Sequence, residues 1–198
     1  MLKTNVHVDL SGIAHQILHR INKRDYTKTL NPNKPKFLSE KSERDFYKHN
    51  LHEEMKKISK NLESYFDVKS FTFVFDPFKE KSFRYDLYPM YKQSASRTKE
   101  RNYDQRGFHD TIEEYYTDLN SLGIKVLERG GMEADDLLFS LKGAIPENEN
   151  ICIVSSDGDM RQLVDHRTFV YNNILNETYI SADLRRPIAE VIKNDNDE

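Results

Sequence analysis

Ile151-Cys152-Ile153-Val154-Ser155-Ser156-Asp157-Gly158-Asp159 is an apolar run that ends in two acids around a glycine. It reads as a strand, followed by a short helix from about Gly158. Two other runs end the same way. Val6-His7-Val8-Asp9-Leu10 delivers Asp9, and Phe71-Thr72-Phe73-Val74-Phe75-Asp76 delivers Asp76. A fourth acidic group, Glu133-Ala134-Asp135-Asp136, opens what reads as a helix. Ligands of open α/β sheets bind outside the carboxyl ends of the strands, which is where these seven carboxylates would gather. So many negative charges share a cleft only when cations neutralise them.

Outward from these points the chain alternates strand and helix. A helix over residues 12–21 follows the first strand, with Ile13, Ile17, Leu18 and Ile21 on one stripe. Residues 23–42 form a polar connection whose Asn31-Pro32-Asn33-Lys34-Pro35 is a strong turn signal. A helix over residues 43–66 carries Leu51, Met55, Ile58 and Leu62 at helical spacing, before the strand ending at Asp76. A third helix (residues 108–122), a short strand (124–127), the helix from Glu133 and the strand ending at Asp157 complete the alternation. Two short strands around Asn172-Asn173 are expected over residues 168–180. The pattern predicts an α/β fold, a three-layer α/β/α arrangement around a mostly parallel sheet.

The composition sets bounds. A chain of 198 residues holds one α/β domain with a sizeable core, supplied here by 11 Tyr and 11 Phe. The formal net charge of −3 does not advertise a nucleic-acid binder, but a binder needs only one basic face. The single cysteine, Cys152, excludes an intramolecular disulfide framework and suits a reducing cytoplasm. No apolar stretch reaches the length of a membrane span, and residues 1–5 lack the apolar core of a secretory signal. The expectation is a cytoplasmic protein without a membrane partner, in the host cytoplasm if phage-encoded.

Each acidic group has a plain structural explanation taken alone, because acids in a first helical turn are favoured by free N–H groups and the helix dipole. The conjunction of three strand ends and one helix start on a single sheet edge favours a metal site. Oxygen donors with no nearby Cys or paired His point to Mg²⁺ or Mn²⁺. Several carboxylates can hold two ions about 3.5–4 Å apart, the geometry that stabilises the attacking and leaving oxygens of phosphodiester hydrolysis. His15, His19, His49 and His52 lie on helices without a third ligand, and Cys152 reads as inert core. Ser155 and Ser156 lack the partners of a nucleophile.

Val74-Phe75-Asp76, Lys81-Ser82-Phe83-Arg84 and Tyr88-Pro89-Met90-Tyr91-Lys92 resemble the signature of the 5′-nuclease superfamily, which comprises flap endonucleases, phage RNase H of the flap-nuclease type and the 5′–3′ exonuclease domain of DNA polymerase I. Gly130-Gly131-Met132-Glu133-Ala134-Asp135-Asp136 is similar to that family's acidic helix start, and Val154 to Leu163 to its next metal-binding turn. The likeness runs from Asp9 to about Val164, and the long helix before Asp76 leans toward the phage branch. It implies that Asp9, Asp76, Glu133 and Asp135 hold a first ion. Asp136, Asp157 and Asp159 would then serve a second ion or its water shell.

Residues 77–106 carry Lys79, Lys81, Arg84, Lys92, Arg97, Lys99, Arg101 and Arg106 against Glu80, Asp86, Glu100 and Asp104. Interleaved aromatics there can stack on unpaired bases while the cations contact phosphates, although Phe83 and Tyr88 read better as residues tucked into the core. The resemblance makes this stretch an arch beside the single-stranded 5′ end. Lys92 and Arg84 would be catalytic, and Lys81, Arg84, Tyr91, Lys92, Arg97, Lys99 and Arg101 would contact nucleic acid, Tyr91 by stacking beside the cut. Relatives carry an Arg a few residues past the lysine, where this chain has Gln93-Ser94-Ala95-Ser96, leaving Arg97 as the substitute.

The expected organisation is a catalytic domain over residues 1–185 and an acidic tail over 186–198. A family-type Gly-Asp-x-x-Asp-Asn segment and a helix–hairpin–helix are not found after Asp159, so a weak second metal site and weak duplex affinity are expected. The implied enzyme is a metal-dependent 5′ nuclease acting on DNA with a 5′ flap or single-stranded 5′ end, or on an RNA–DNA hybrid, in primer or flap removal during DNA replication. The chain would be either the N-terminal piece of a longer enzyme or a minimal form that takes its duplex grip from a separate polypeptide. Two alternatives stay open, a non-catalytic nucleic-acid-binding subunit and a PIN-type ribonuclease.

Overall fold

A computed structural model describes residues 3–26, 36–77, 80–93, 103–180 and 185–187. Seven strands form one sheet in the order β3-β2-β1-β4-β5-β6-β7. They are β1 (Lys3–Asp9), β2 (Asp67–Val74), β3 (Lys125–Leu127), β4 (Asn150–Val154), β5 (Thr168–Asn172), β6 (Glu177–Tyr179) and β7 (Arg185–Pro187). β1 to β5 pair in parallel, while β6 pairs antiparallel with both β5 and β7. The helices are α1 (Leu10–Tyr26), α2 (Lys41–Glu63), α3 (Arg84–Leu87), α4 (Gln105–Ser121) and α5 (Ala134–Ala144), with a 3₁₀ helix at Gly158–Leu163.

The alternation of β1 sorts the layers. Val6 and Val8 join Ile13, Ile17, Tyr47, Leu51, Phe108 and Tyr115 in a core beneath α1, α2 and α4. Asn5, His7 and Asp9 point to the opposite face, where Val74, Ile151, Ile153 and Val170 pack on Leu137, Leu138 and Met160 of α5 and the 3₁₀ helix. This is the three-layer, mostly parallel architecture that the alternation of elements predicts. The fully buried Tyr47 hydroxyl donates to the Ala14 carbonyl at 2.7 Å and fastens α2 to α1.

Two features place the site. Strand order reverses about β1, since β2 lies on one side and β4 on the other, so the C-terminal ends of β1 and β4 flank a topological switch point. The connection from β2 to α4 is tied down at both described ends. Near α5 the Phe83 N–H donates to the Gly131 carbonyl at 2.8 Å, and at the return Asp104 N–H donates to Phe37 O at 2.7 Å. Phe37 and Tyr103 form an isolated parallel bridge. Gly107 sits so close to it that a Cβ would lie 2.2 Å from the Leu38 carbonyl oxygen.

Phe83 and Tyr88 are not tucked into the core: they are 43% and 60% exposed. The single turn of α3 explains the correction, because the small, buried Ser82 takes the inward position and α3 swings its aromatics outward. β7 includes Arg186 and Pro187, two residues past position 185. Most of the tail lies outside the described residues, as do Arg97, Lys99, Arg101 and Lys79.

Candidate metal and nucleic-acid site

Asp9 ends β1 and is 6% exposed. Its Oδ1 accepts from Gly12 N–H at 2.8 Å and its Oδ2 from the Ser155 hydroxyl at 2.9 Å. A Cβ on residue 12 would lie 2.4 Å from that Oδ2, so only glycine allows α1 to begin against this carboxylate. Asp76 lies two residues past the last β2 residue. Its backbone N–H donates to Ser11 Oγ and its Oδ1 accepts from Ala134 N–H, each at 2.8 Å. Asp76 is thereby docked on the N-terminus of α5, where free N–H groups favour negative charge.

Glu133 caps α5 and is 7% exposed. Its Oε1 accepts from Lys92 Nζ at 2.7 Å, while Oε2 accepts from Arg84 Nη1 at 2.8 Å and from the Tyr91 hydroxyl at 2.9 Å. Asp136 Oδ1 accepts from Arg84 Nη2 at 2.7 Å, and its Oδ2 from Glu133 N–H at 3.0 Å. Arg84 also donates to Tyr91 Oη at 2.9 Å. The Arg84 and Lys92 cations lie 5.7 and 5.4 Å from the centre of the Tyr91 ring. Lys92 takes a left-handed backbone with φ of 57°, a conformation disfavoured for a residue with a side chain and found where surrounding contacts enforce it.

Asp157 and Asp159 are exposed at the start of the 3₁₀ helix, where Asp157 Oδ1 accepts from Asp159 N–H at 2.9 Å. Lys81 is exposed as well. Ser156 accepts from Gln16 Nε2, tying this turn to α1. His15 packs against Phe108 and His52 against Tyr115. Cys152 is fully buried, and burial pushes its thiol well up.

The acids divide into two electrostatic groups. Burial, reinforced by the charges of Asp76 and Asp135, raises the Asp9 carboxyl to about 7 against the opposing hydrogen bonds of Gly12 and Ser155. Burial and the charges of Asp157 and Asp76 raise Asp135 to about 6. These four carboxylates feel one another and make no ion pair among the described residues, with only through-space help from Arg84 on Asp135 and between Lys92 and Asp76. Glu133 is the reverse. Burial pushes it up, but hydrogen bonds from Lys92 and Tyr91 and the charges of Lys92 and Arg84 hold it below the usual carboxylate range. Among the described residues no three Asp, Glu, His or Cys side chains stand ready-grouped to hold a cation. The donors nevertheless suit one. They are hard oxygens, mutually repelling and partly buried, and on Glu133 and Asp136 protein cations already stand where positive charge is wanted.

Sequence reasoning passed over Ser11, Gly12 and Ser155 as parts of this site. Their positions beside Asp9 and before Asp157 were the available signal, since small hydroxyl and glycine residues next to strand-end acids commonly serve the backbone turn.

An acid-edged, mostly parallel α/β sheet with a basic connection above the edge is the class this architecture defines. The family model for the 5′-3′ exonuclease N-terminal resolvase-like domain matches residues 15–189, and the chain belongs to that family. Over 119 residues it is 33% identical to a 5′-3′ exonuclease of Buchnera aphidicola (subsp. Schizaphis graminum), covering 60% of this chain and 39% of that protein. Over 95 residues it is 39% identical to the DNA polymerase I of Treponema pallidum, covering 48% of this chain and 9% of the polymerase. The chain thus spans about two fifths of the exonuclease's length. A T5 protein co-crystallised with metal ions superposes with a TM-score of 0.63 at 17% identity, over 89% of this chain and 57% of that one. T5 5′-exonuclease with zinc bound gives 0.59 at 19% identity over the same shares. The shared fold is the point of these superpositions. No helix among the described residues is long and apolar enough to cross a membrane.

Proposed function

We propose that residues 1–185 form the catalytic domain of a divalent-metal-dependent, structure-specific 5′ nuclease. It would hydrolyse phosphodiesters near junctions of single strand and duplex, or from a 5′ end, as in removal of RNA primers or flaps. The observation that carries this reading is the mutual repulsion of Asp9, Asp76, Asp135 and Asp157 at the switch point, with Arg84 and Lys92 ion-paired to Glu133 at its border. Family membership supports it.

Asp9, Asp76, Glu133 and Asp135 would hold one Mg²⁺ or Mn²⁺, and Asp136, Asp157 and Asp159 would serve a second or its water shell. Such ions, when bound, neutralise charge on the scissile phosphate and the oxygens that attack and leave. The chain's own contribution is preorganisation. Gly12 and Ser155 fix both oxygens of Asp9, and the Ala134 N–H fixes Asp76. Arg84 and Lys92 present cations to the phosphate, where charge develops in the transition state. Tyr91 offers its ring to the base beside the cut, and Lys81, Arg97, Lys99 and Arg101 bind the strand leading to it. A separate polypeptide gripping the duplex belongs to the same proposal.

A 5′-labelled flap incubated with Mg²⁺ or Mn²⁺ tests the reading. Short 5′ products are expected, abolished by chelation and by Asp76→Asn. DNA retarded in a gel but uncut would replace the enzyme with a binding module. Single-stranded RNA cut in preference to the flap would favour a PIN-type ribonuclease.

A further inference from the structure

We propose that Arg84, Tyr91 and Lys92 form a latch that occupies the carboxylates of Glu133 and Asp136 until a divalent cation displaces it, so that cation binding and release of the two basic side chains toward nucleic acid are one coupled event. The proposal deepens the nuclease reading and rests on it for the assignment of Glu133 and Asp136 to cations.

The geometry is specific. Both oxygens of Glu133 are taken, one by Lys92 and the other by Arg84 and Tyr91 together. The planar Arg84 guanidinium spans two acids one helical turn apart, with Nη1 on Glu133 and Nη2 on Asp136. The Tyr91 hydroxyl closes the ring by accepting from Arg84 and donating to Glu133. Tyr85 abuts the Tyr91 ring edge-on at 5.4 Å and holds it over this junction. The left-handed backbone at Lys92 falls where Tyr91 and its sequence neighbour both reach the same carboxylate.

Opposite the latch, Asp9 and Asp76 are held by neutral donors (Gly12 N–H, the Ser155 hydroxyl and Ala134 N–H), they and Asp135 make no ion pair among the described residues, and no ready-grouped trio of donors exists among those residues. A cation drawn to these acids gains Glu133 as a further ligand by taking it from the latch. A group that binds one state of a two-state element shifts that element by its differential affinity, and the coupling is reciprocal. Arg84 and Lys92 are therefore held away from phosphate when no cation is present and handed over when one arrives.

Manganese binding to the 198-residue chain without nucleic acid, followed by electron paramagnetic resonance of the free ion, reads the coupling. Arg84→Gln is expected to bind Mn²⁺ more tightly than the native chain, by a factor within the range of about 5–150 typical of coupled equilibria, even though it cuts poorly. Tyr91→Phe keeps both charges and removes only the hydroxyl, so it is expected to tighten binding by a smaller factor. Simple charge repulsion would leave its affinity unchanged. Backbone hydrogen exchange over residues 82–93 of the native chain, which needs no variant to fold, is expected to speed up when Mn²⁺ is added. Unchanged or weaker Mn²⁺ binding in either folded variant, or unchanged or slower exchange over 82–93 on adding the ion, overturns the latch and leaves the nuclease reading standing. Absence of Mn²⁺ binding by the native chain and both variants removes the metal reading itself, and the latch with it.

Discussion

Asp9 carries the largest electrostatic cost among the acids of the site, and its titration gives that cost a measurable form. A buried carboxyl raised to about 7 is most stable protonated, so its contribution to stability is complete below the unfolded value of 3.8 and is lost as pH rises through 7. His7, lowered to about 4 first by burial and then by Lys125, acts in the opposite sense, with stability gained as pH rises from about 4 to 6.5. Between about pH 4 and 6.5 the two oppose one another, and from about 6.5 to 7 the loss from Asp9 is the larger. In chelator, the melting temperature should therefore fall across that window. Asp9→Asn should abolish this part of the fall, which thermal unfolding by circular dichroism at several pH values will check. The position of Asp9 was legible from an acid closing an apolar run. Its burial was not, because that depends on Ser155 and Gly12 arriving from β4 and α1.

At the scale of elements, the N-terminus of α5 connects the fold to the chemistry. Ala134 is the first helical residue, and its N–H is spent on Asp76. Proline is tolerated at that position, where no intrahelical bond is lost, and the preceding Glu133 has the extended backbone (φ −79°, ψ 163°) that a following proline requires. Ala134→Pro should keep α5 folded while freeing Asp76. A hydrogen bond to a charged group is worth about 1.5–3 kcal/mol, so metal-dependent cleavage should fall roughly 10- to 100-fold with little change in helicity. Unchanged cleavage would mean that Asp76 needs no such support. The long helices and the succession of strands along the chain were readable from apolar periodicity, with ends differing by a few residues, whereas the order of strands in the sheet was not. α3 was not, since a four-residue turn shows no periodicity and its aromatics face outward. The strand-end acids lie beyond the last paired residues of β2 and β4, so apolar runs overstate where pairing stops.

For the molecule as a whole, sequence alone located the acidic edge because parallel strands all deliver their carboxyl ends to one side, a rule that needs no coordinates. What it could not show is how charge is balanced there. The basic connection and the acidic edge are far apart in sequence, and only folding sets Arg84 and Lys92 on Glu133 and Asp136 while leaving Asp9, Asp76 and Asp135 without an ion pair among the described residues. The central claim is that this deficit is a cation site. Crystals soaked in Mn²⁺ and measured at the manganese edge address it directly. Anomalous density bounded by Asp9, Asp76 and Asp135, with Glu133 turned toward it, is the predicted result. An empty edge, with those carboxylates turned away from one another, would contradict the account.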